Sequence, residues 1–257
     1  MCGTCGCGEA DVRVEGIAGH GHGHDPVPGT IDVETALLAK NDHLAGHNRA
    51  WLAERNILAL NLMSSPGAGK TSLLRRTIAE LAPVRPVSVI EGDQETRIDA
   101  EKIRSTGAPV VQINTGSGCH LDAGMVARGL TELDPPAGSL VFVENVGNLV
   151  CPALFDLGEA AKVVVVSVTE GEDKPLKYPH MFAVADVVVI NKIDLLPYVD
   201  VRLEQLIAHC CSVNPGVRVL PLSVTTGEGM TDWCDWLLTS GPTGRVTARE
   251  RVDSPAV

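Results

Sequence analysis

The sequence predicts an α/β fold in which a mostly parallel central sheet is covered by helices on both faces. After residue 56, seven continuously apolar runs alternate with stretches that have a helical period. Strands that are apolar along their whole length are buried on both faces, which is typical of a parallel sheet between helical layers. A glycine-rich turn ending in Lys70 and Thr71 follows the first run, at a strand-to-helix junction.

The individual elements follow from hydrophobic periodicity, taken in chain order. The predicted strands are Ile57–Met63, Val87–Ile90, Val110–Ile113, Leu140–Val143, Val163–Val168, Val187–Ile190 and Arg218–Leu222. The predicted helices are a long amphipathic one at Val33–Arg55 and then Lys70–Leu81, Glu95–Ser105, His120–Glu132, Val201–Cys211 and Glu228–Leu238.

Composition divides the chain into a central domain and two tails. Residues 1–33 are rich in glycine and histidine without helical or strand period, and we expect a flexible metal-binding tail. Residues 34–240 carry all the predicted elements and form the globular domain. Residues 241–257 are polar and contain prolines, so we expect a disordered C-terminal tail.

Charge and hydropathy exclude two classes of partner. The 257 residues include 21 Lys and Arg against 32 Asp and Glu, a net charge of −11, whereas nucleic-acid binding needs a basic face. The longest apolar stretch, 160–168, is about half of what a membrane span needs.

The N-terminus lacks the cationic start and apolar run of a secretory signal, so we expect a cytoplasmic protein.

Three cysteines at the N-terminus predict a metal site. Cys2, Cys5 and Cys7 are interleaved with glycines in the run MCGTCGCG, too close to the chain end for packing to explain them. A disulfide is the alternative, but in a reducing cytosol clustered cysteines indicate metal or redox chemistry. The alternating histidines at 20, 22 and 24 favour nickel, zinc or copper, unless they are incidental in a flexible tail.

The turn after the first strand predicts a phosphate site. The run Ser64 to Thr71, SSPGAGKT, matches the P-loop pattern except that Ser64 replaces its first glycine. Backbone N–H groups would surround a phosphate at the start of the next helix, with Lys70 at the β and γ phosphates and Thr71 on Mg²⁺. The predicted nucleotide-binding residues here are Gly67, Ala68, Gly69, Lys70, Thr71 and Ser72.

A second pattern predicts that the base is guanine. Asn191, Lys192 and Asp194 form an NKxD motif directly after a strand, and the Asp194 carboxylate would accept two hydrogen bonds from guanine. The later run PLSVTTG, with Ser223 and Val224, is similar to a loop that offers a backbone N–H to guanine O6. GTP and GDP are therefore the expected ligands.

Two acidic residues at strand ends complete the predicted nucleotide site. Asp93 and Glu144 end the second and fourth strands, where they could hold Mg²⁺ with Thr71 or orient the attacking water. The alternative is that both are solvated loop carboxylates. We assign catalysis to Lys70, Asp93 and Glu144 and expect slow turnover, since no strong general base is evident.

A second metal site is predicted from loops on the same edge of the sheet. Cys119 and His120 stand at the expected start of a helix, and Cys151 follows the loop after Glu144. These three donors could converge on a metal ion, with water or a second subunit as a fourth ligand. His43 and His47, four apart on a helix face, are only a weak ligand pair. The remaining cysteines, Cys210, Cys211 and Cys234, are interpreted as buried small hydrophobes.

Taken together, these motifs resemble the hydrogenase nickel-incorporation GTPases (HypB), in the SIMIBI class of P-loop GTPases. The resemblance covers about Ile31 to Leu238 through SSPGAGKTSLLRR, EGDQETRIDAEKI, TGSGCHLDA, FVENVGNLVCPA, SVTEGEDKPLKYP, NKIDLLPYV and SVTTGEGM. The N-terminal cysteine run resembles the high-affinity nickel site of some members, and the short histidine tract resembles the nickel-storing insertion of others. Serine in place of the first P-loop glycine also occurs in this family.

This resemblance implies a GTP-dependent homodimer that delivers nickel to the large subunit of nickel–iron hydrogenase. It also implies a small zinc-binding accessory protein (HypA) as partner, and a nickel or zinc site at Cys119, His120 and Cys151. The alternatives are a urease accessory GTPase, a cobalamin-enzyme chaperone, or a nickel storage or sensing module gated by GTP. The CxxCGC start and the GCHLDA and NLVCP runs argue against the first two.

Overall fold

The structure is a computed structural model that describes residues 28–93, 98–116 and 118–241, with side chains from residue 35 onward. Within these residues there are seven strands, β1 Leu58–Ser64, β2 Val87–Asp93, β3 Val110–Asn114, β4 Leu140–Glu144, β5 Ala161–Ser167, β6 Val187–Asn191 and β7 Arg218–Pro221. They form one sheet in the order β3-β2-β4-β1-β5-β6-β7, and every pairing is parallel. The predicted fold class is confirmed, and each predicted strand is present.

Helices connect the strands and cover the sheet. They are α1 Pro28–Glu54, α2 Lys70–Leu81, α3 Ile98–Arg104, α4 Ala123–Leu133, α5 Cys151–Leu154, α6 Lys174–Lys177, α7 Pro179–Ala183, α8 Leu203–Val213 and α9 Met230–Thr239. Two 3₁₀ segments lie at Val168–Glu170 and Ile193–Tyr198. The sequence did not predict α5, α6, α7 or the 3₁₀ segments, because one turn of helix is too short to show a period.

Side chains alternate between the two faces of the sheet, so that a core lies on each side. Leu58, Leu60 and Leu62 of β1 pack with α2 and with the α9 residue Trp233 on one side. On the other side, Ala59 of β1 packs with residues of α1 and α4, and a third cluster gathers around β5, β6, α7 and α8. This arrangement accounts for the continuously apolar strands.

The first helix is longer than predicted and packs partly through polar groups. It begins at Pro28 rather than Val33, since proline lacks the N–H that would be unpaired in a first helical turn. Its buried face includes Asn41, Ala45 and Asn48, and the Asn48 amide donates to the carbonyls of Ala123 and Leu157 at 2.8 and 2.9 Å. Helix α1 is therefore fixed to the start of α4 by hydrogen bonds as well as by apolar contact.

Functional loops leave the carboxyl ends of these strands at a single edge of the sheet. The P-loop and the Ser223 loop follow β1 and β7, and the NKxD motif begins at the last residue of β6. Asp93 and Glu144 are the last residues of β2 and β4. In an open parallel sheet this edge is where ligands bind. In the part of the chain that the structure describes, no helix is long and apolar enough to cross a bilayer.

Candidate nucleotide and metal sites

The P-loop is held in a conformation that requires glycine at two positions. Gly67 and Gly69 have φ of +81° and +104°, in the left-handed region that favours glycine. A Cβ on Gly69 would also lie 2.5 Å from Nδ2 of Asn191. Gly69 is the residue before α2, so the loop delivers the chain to the positive end of that helix, which suits a phosphate.

Lys70, Thr71 and Glu144 meet beneath this loop. The Lys70 Nζ donates to Ser64 Oγ at 2.7 Å, and the Thr71 hydroxyl donates to Glu144 Oε1 at 2.7 Å. Burial lowers the pKa of Lys70, an effect that the nearby Glu144 carboxylate opposes. Burial likewise raises the pKa of Glu144, against the attraction of Lys70 and the hydrogen bond from Thr71.

The donor set around Glu144 fits a hard cation. Glu144 is 4% exposed, and its Oε2 has no hydrogen-bond partner among the described residues. Carboxylate and hydroxyl oxygens are the ligands that Mg²⁺ uses beside nucleotide phosphates. A buried carboxylate with an unpaired oxygen next to the Thr71 hydroxyl is therefore suited to magnesium, either directly or through water.

An open cleft of about 480 Å³ joins these groups. Eight of the residues lining it were predicted from the sequence, namely Gly67, Gly69, Lys70, Thr71, Ser72, Asp93, Glu144 and Lys192. Asp99 and Lys102 of α3 also line it, and the Lys102 Nζ donates to Asp99 Oδ1 at 2.8 Å. This pair was not predicted from the sequence, because its only pattern is the i, i+3 spacing of opposite charges.

Glu91 was not predicted as a site residue, although it is an acidic residue inside an apolar strand. Glu91 is 3% exposed and lies beside Glu144 across the β2–β4 pairing. Burial, and then repulsion from Glu144, raise its pKa from 4.5 to about 8. Glu91 is therefore mainly protonated at neutral pH in the protein without a bound cation, and the carboxyl that neighbours Glu144 is neutral.

The raised pKa of Glu91 predicts how stability depends on pH. The folded protein keeps a proton that the unfolded chain releases above its ordinary pKa of 4.5, so the free energy of unfolding should fall as pH rises toward about 8. The contribution is about 1.4 kcal/mol per pH unit within that window. Urea denaturation in the presence of a chelator, at about pH 5.5 and about pH 7.5, measures it.

Glu91→Gln should remove this contribution and make the variant the more stable protein at the higher pH. Glu101→Gln, at an exposed position on α3, is the matched control and should leave the pH dependence of wild type unchanged. Equal pH slopes for wild type and Glu91→Gln would contradict the assignment of a buried proton to Glu91.

The NKxD motif supports the P-loop with its first two residues. The Asn191 amide donates to the Ala68 carbonyl at 3.0 Å, and the Lys192 Nζ donates to the Gly67 carbonyl at 2.8 Å. Lys192 has φ of +64°, which is uncommon for a non-glycine residue, and its N–H donates to Asn191 Oδ1 at 2.7 Å. These contacts keep the base-side loop and the phosphate loop in a fixed relation.

Asp194 is oriented by the neighbouring loop. Its Oδ1 accepts from the Ser223 hydroxyl at 2.5 Å, and Ser223 Oγ accepts from the Thr226 N–H at 3.1 Å. The Ser223 N–H already donates to the Glu228 carbonyl, and the Val224 N–H lies 3.4 Å from Asn191 Oδ1. Ser223 therefore acts on Asp194 through its hydroxyl, and its own N–H is engaged within the loop.

A further missed residue, Glu170, fixes the other end of the P-loop. Its carboxylate accepts from the Ser65 hydroxyl and, at 2.9 Å, from the Ser167 N–H. It also forms an ion pair with Lys174 at 3.2 Å. Glu170 belongs to the SVTEGEDKPLKYP run, so the function of this segment here includes holding Ser65.

The predicted cysteine and histidine ligands of the central domain converge. One ligand atom from each of Cys119, His120 and Cys151 lies within 4.8 Å of the other two. The Cys119 Sγ and His120 Nδ1 are 3.6 Å apart, which equals the roughly 3.6 Å expected for a thiolate and an imidazole at adjacent corners of a tetrahedral metal. Burial lowers the pKa of His120, which favours the neutral imidazole that binds metals.

The local setting of these ligands differs from the prediction in one respect. Helix α4 begins at Ala123, with Asp122 as its cap, so Cys119 precedes the helix and does not sit at its N-terminus. The Asp122 carboxylate accepts the Met125 N–H at 2.7 Å, which starts the helix three residues later than predicted. Cys151 instead is the first residue of the one-turn helix α5.

Hydrogen bonds and ring stacking hold the metal-site loops in place. The Asn145 Oδ1 accepts from the Leu121 N–H at 3.0 Å, and the Asn41 Oδ1 accepts from the Ala123 N–H at 2.9 Å. The His120 ring stacks on Phe155 with centroids 3.9 Å apart. Asn145 directly follows Glu144, so one short loop supports both the nucleotide cleft and the metal ligands.

The remaining cysteine predictions have different outcomes. Cys2, Cys5 and Cys7, and the histidines at 20, 22 and 24, lie outside the described residues. Cys210 and Cys234 are buried as predicted, and burial raises the pKa of each thiol to about 12. The prediction for Cys211 is wrong, because α8 packs through Leu206 and Cys210 and turns Cys211 to solvent.

The chain is similar to several known proteins. The model of the CobW/HypB/UreG nucleotide-binding domain matches residues 58–221. The hydrogenase maturation factor HypB of Azotobacter vinelandii is 48% identical over 277 residues, covering 92% of this chain and 91% of its own length. A HypB structure from Archaeoglobus fulgidus has a TM-score of 0.73 and 40% identity, covering 78% of this chain and 98% of that one. HypB from Helicobacter pylori, solved in complex with nickel, has a TM-score of 0.72 and 36% identity, covering 77% and 94%.

Proposed function

Because the chain belongs to the HypB family of hydrogenase maturation factors, we propose that it is a GTP-hydrolysing nickel metallochaperone that delivers nickel to the large subunit of nickel–iron hydrogenase. The observation that carries this proposal is the convergence of Cys119, His120 and Cys151 on loops that leave the same sheet edge as the P-loop. A metal site with sulfur ligands and a loop that binds the triphosphate would then lie at the same edge of the sheet. This proximity would allow the bound nucleotide, GTP or GDP, to control metal binding.

The geometry of the cleft supports the proposed nucleotide roles. Gly67, Ala68 and Gly69 surround the phosphates with backbone N–H groups, and the buried Lys70 balances charge on the β and γ oxygens. A magnesium ion held by Thr71, Asp93 and Glu144 would neutralise charge that develops on the phosphate oxygens. Ser72 lines the same cleft.

Recognition of guanine is assigned to the second cluster of loops. Asp194 accepts from the base, and Asn191 and Lys192 set its position relative to the phosphates. The hydroxyl of Ser223 orients the Asp194 carboxylate, and the loop through Val224 closes the base side. GTP and GDP rather than adenine nucleotides fit this arrangement, because adenine does not offer the carboxylate the N1–H and N2 amino donors of guanine.

We propose slow intrinsic hydrolysis. Asp93 and Glu144 are the groups placed to orient an attacking water, but Glu144 already accepts the Thr71 hydroxyl. The adjacent Glu91 is held mainly protonated by burial, so it does not serve as a base at neutral pH. The charged groups of the site are arranged for binding nucleotide and magnesium rather than for strong general-base catalysis. Slow hydrolysis of this kind suits a protein that switches between GTP-bound and GDP-bound states.

Nickel binding is assigned to two sites. In the central domain, Cys119, His120 and Cys151 supply two thiolates and an imidazole, a set that suits nickel or zinc. The nickel complex of the Helicobacter pylori relative supports nickel as cargo. Cys2, Cys5 and Cys7, outside the described residues, are proposed as a separate nickel site in the N-terminal segment.

The loop between Glu144 and Cys151 supplies a route for coupling between metal and nucleotide. Asn145 binds the backbone beside His120, and a Cβ on Gly147 would lie 3.1 Å from the ring of Pro66 in the P-loop. The loop therefore lies against both sites, and a displacement of the loop at one site would be transmitted to the other.

A second copy of the chain is the proposed source of further ligands. Val150 and Leu154, on either side of Cys151, are 54% and 60% exposed. An apolar surface next to an incomplete metal site supports a GTP-dependent homodimer. The other proposed partners are the hydrogenase large subunit and the small zinc-binding protein HypA, and we place the activity in the cytoplasm.

Metal affinity measured in two nucleotide states tests this proposal. In a Cys2→Ser/Cys5→Ser/Cys7→Ser background, nickel affinity should differ between GDP and a nonhydrolysable GTP analogue, and typical couplings are roughly 5- to 150-fold. Because coupling is reciprocal, nickel should change the affinity for the analogue by the same factor. Equilibrium dialysis with each nucleotide, over a range of protein concentrations, measures it.

Adding Cys119→Ser to that background should abolish the nucleotide-dependent nickel binding and leave GTP hydrolysis in place. Cys211→Ser, at an exposed thiol of α8, is the matched control and should change neither property. Identical nickel affinity with GDP and with the analogue at every protein concentration would contradict nucleotide-controlled delivery.

A further inference from the structure

The exposed side of helix α1 carries two histidines whose ring nitrogens face each other. His43 and His47 are both exposed, and their Nε2 atoms are 3.1 Å apart. Residues four apart lie on one helix face, one turn above the other. The two rings are nearly perpendicular, at 85°, with centroids 4.6 Å apart. Both side chains thus direct the same atom toward one point at the helix surface.

The separation of these nitrogens matches that of two ligands on one metal ion. Imidazole nitrogens bind a divalent transition metal at about 2.0–2.1 Å, so two ligands at 90–109° are about 2.8–3.4 Å apart. The observed 3.1 Å lies inside this interval. Little rearrangement of either side chain is therefore needed for both to reach one ion.

We propose that His43 and His47 form a third metal site, which takes a nickel-, zinc- or copper-type divalent ion through both Nε2 atoms. Imidazole nitrogen is a preferred ligand for these ions, and water fills the remaining positions at this exposed surface. Without metal, one Nε2–H donates to the other Nε2. On binding, that ring moves its proton to Nδ1, so both Nε2 atoms become ligands without net release of a proton.

His43 and His47 do not belong to the face of α1 that packs against the rest of the protein. Asn41, Ala45 and Asn48 form the buried face of the helix, and the two histidines lie away from it. His209 differs, because its two ring nitrogens contact the Glu172 carbonyl at 2.6 Å and the Gln205 amide at 2.7 Å. His43 and His47 engage each other, and a metal would replace that single hydrogen bond.

The proposed site is distinct from the thiolate sites and does not depend on GTP hydrolysis. With two protein ligands it should bind its ion more weakly than Cys119, His120 and Cys151 do. It lies on the helix that follows the cysteine- and histidine-rich segment in the chain. Asn41 of the same helix holds the backbone of Ala123, close to the ligands of the central site.

Nickel stoichiometry in the full-length protein tests the site. Equilibrium dialysis should show one nickel equivalent fewer for His43→Gln/His47→Gln than for wild type. The matched control is His47→Gln/Ala50→His, which keeps two histidines on exposed positions of α1 but spaces them seven residues, or about 10 Å, apart. It should lose the same equivalent, while both variants retain GTP hydrolysis and far-UV circular dichroism.

A second measurement identifies the ligand atoms directly. In the full-length protein labelled with ¹⁵N, saturating zinc should shift the Nε2 resonances of both His43 and His47 together. Equal nickel stoichiometry in wild type and His43→Gln/His47→Gln, with both Nε2 resonances unmoved by zinc, would overturn the proposal. Retention of the equivalent in His47→Gln/Ala50→His would also overturn it, because binding would then follow histidine number and not spacing.

Discussion

Lys70→Ala is expected to reduce GTP hydrolysis to near the uncatalysed rate while the sheet remains folded. The Lys70 ammonium lies below the P-loop and is 8% exposed, where the low dielectric strengthens its attraction for phosphate charge. It is the cation placed to balance charge that moves onto the β and γ oxygens in the transition state. Single-turnover hydrolysis of GTP by the purified variant measures the loss, and far-UV circular dichroism reports the fold.

The neighbouring Ser64 supplies the matched control. Ser64 Oγ accepts a hydrogen bond from the Lys70 Nζ in the structure. Ser64→Ala therefore removes this hydrogen bond and leaves the charge of Lys70 in place. We expect this variant to retain hydrolysis, because the P-loop pattern places glycine, with no side chain, at this position. Wild-type turnover in Lys70→Ala would place the reaction at some other site.

Much of the fold could be predicted from the sequence because the strands carry a strong local signal. Runs such as 163–168 are apolar along their length, and only a strand covered on both faces explains them. The polar face of α1 could not be predicted in the same way. Asn41 and Asn48 lie in the interior because backbone groups of α4 and of the segment around residue 157 require partners there, and these groups are distant in sequence.

The proposed nucleotide site could be recognised in the sequence where its chemistry depends on consecutive residues, but not where it depends on pairing between strands. The P-loop and NKxD motifs identify Lys70 and Asp194 from local spacing alone. The raised pKa of Glu91 depends on Glu144, which lies opposite in the sheet although 53 positions separate the two in sequence. Knowledge of strand order is needed before those two carboxyls can be paired.

For the proposed metal site of the central domain, the sheet topology predicts which residues converge but not the residue at which α4 begins. Loops that leave one edge of a parallel sheet can bring their residues together, and Cys119, His120 and Cys151 do converge. The exact start of α4 is decided instead by the Asp122 side chain and by Asn41 of α1. Because Asn41 is 82 residues from Ala123, helical periodicity near Cys119 could not locate that start.

Asp194→Asn is expected to lower the preference for guanine nucleotides by on the order of 100-fold or more, and to favour xanthine nucleotides. In the proposed site the carboxylate would accept from guanine N1–H and the N2 amino group, whereas xanthine presents an oxygen in place of that amino group. Ser223 strengthens the switch. Its oxygen already accepts the Thr226 N–H, and its hydroxyl proton points to Asp194 Oδ1. In the variant this proton should hold the amide oxygen, which leaves the amide NH₂ as a donor toward the base.

Hydrolysis of GTP and XTP by the wild-type protein and by Asp194→Asn measures the change. Ser223→Ala, which only loosens the carboxylate, should keep the guanine preference. Normal GTP hydrolysis by Asp194→Asn with no gain on XTP would show that the base binds elsewhere, since no other feature of the described NKxD loop offers guanine two acceptor contacts from one side chain.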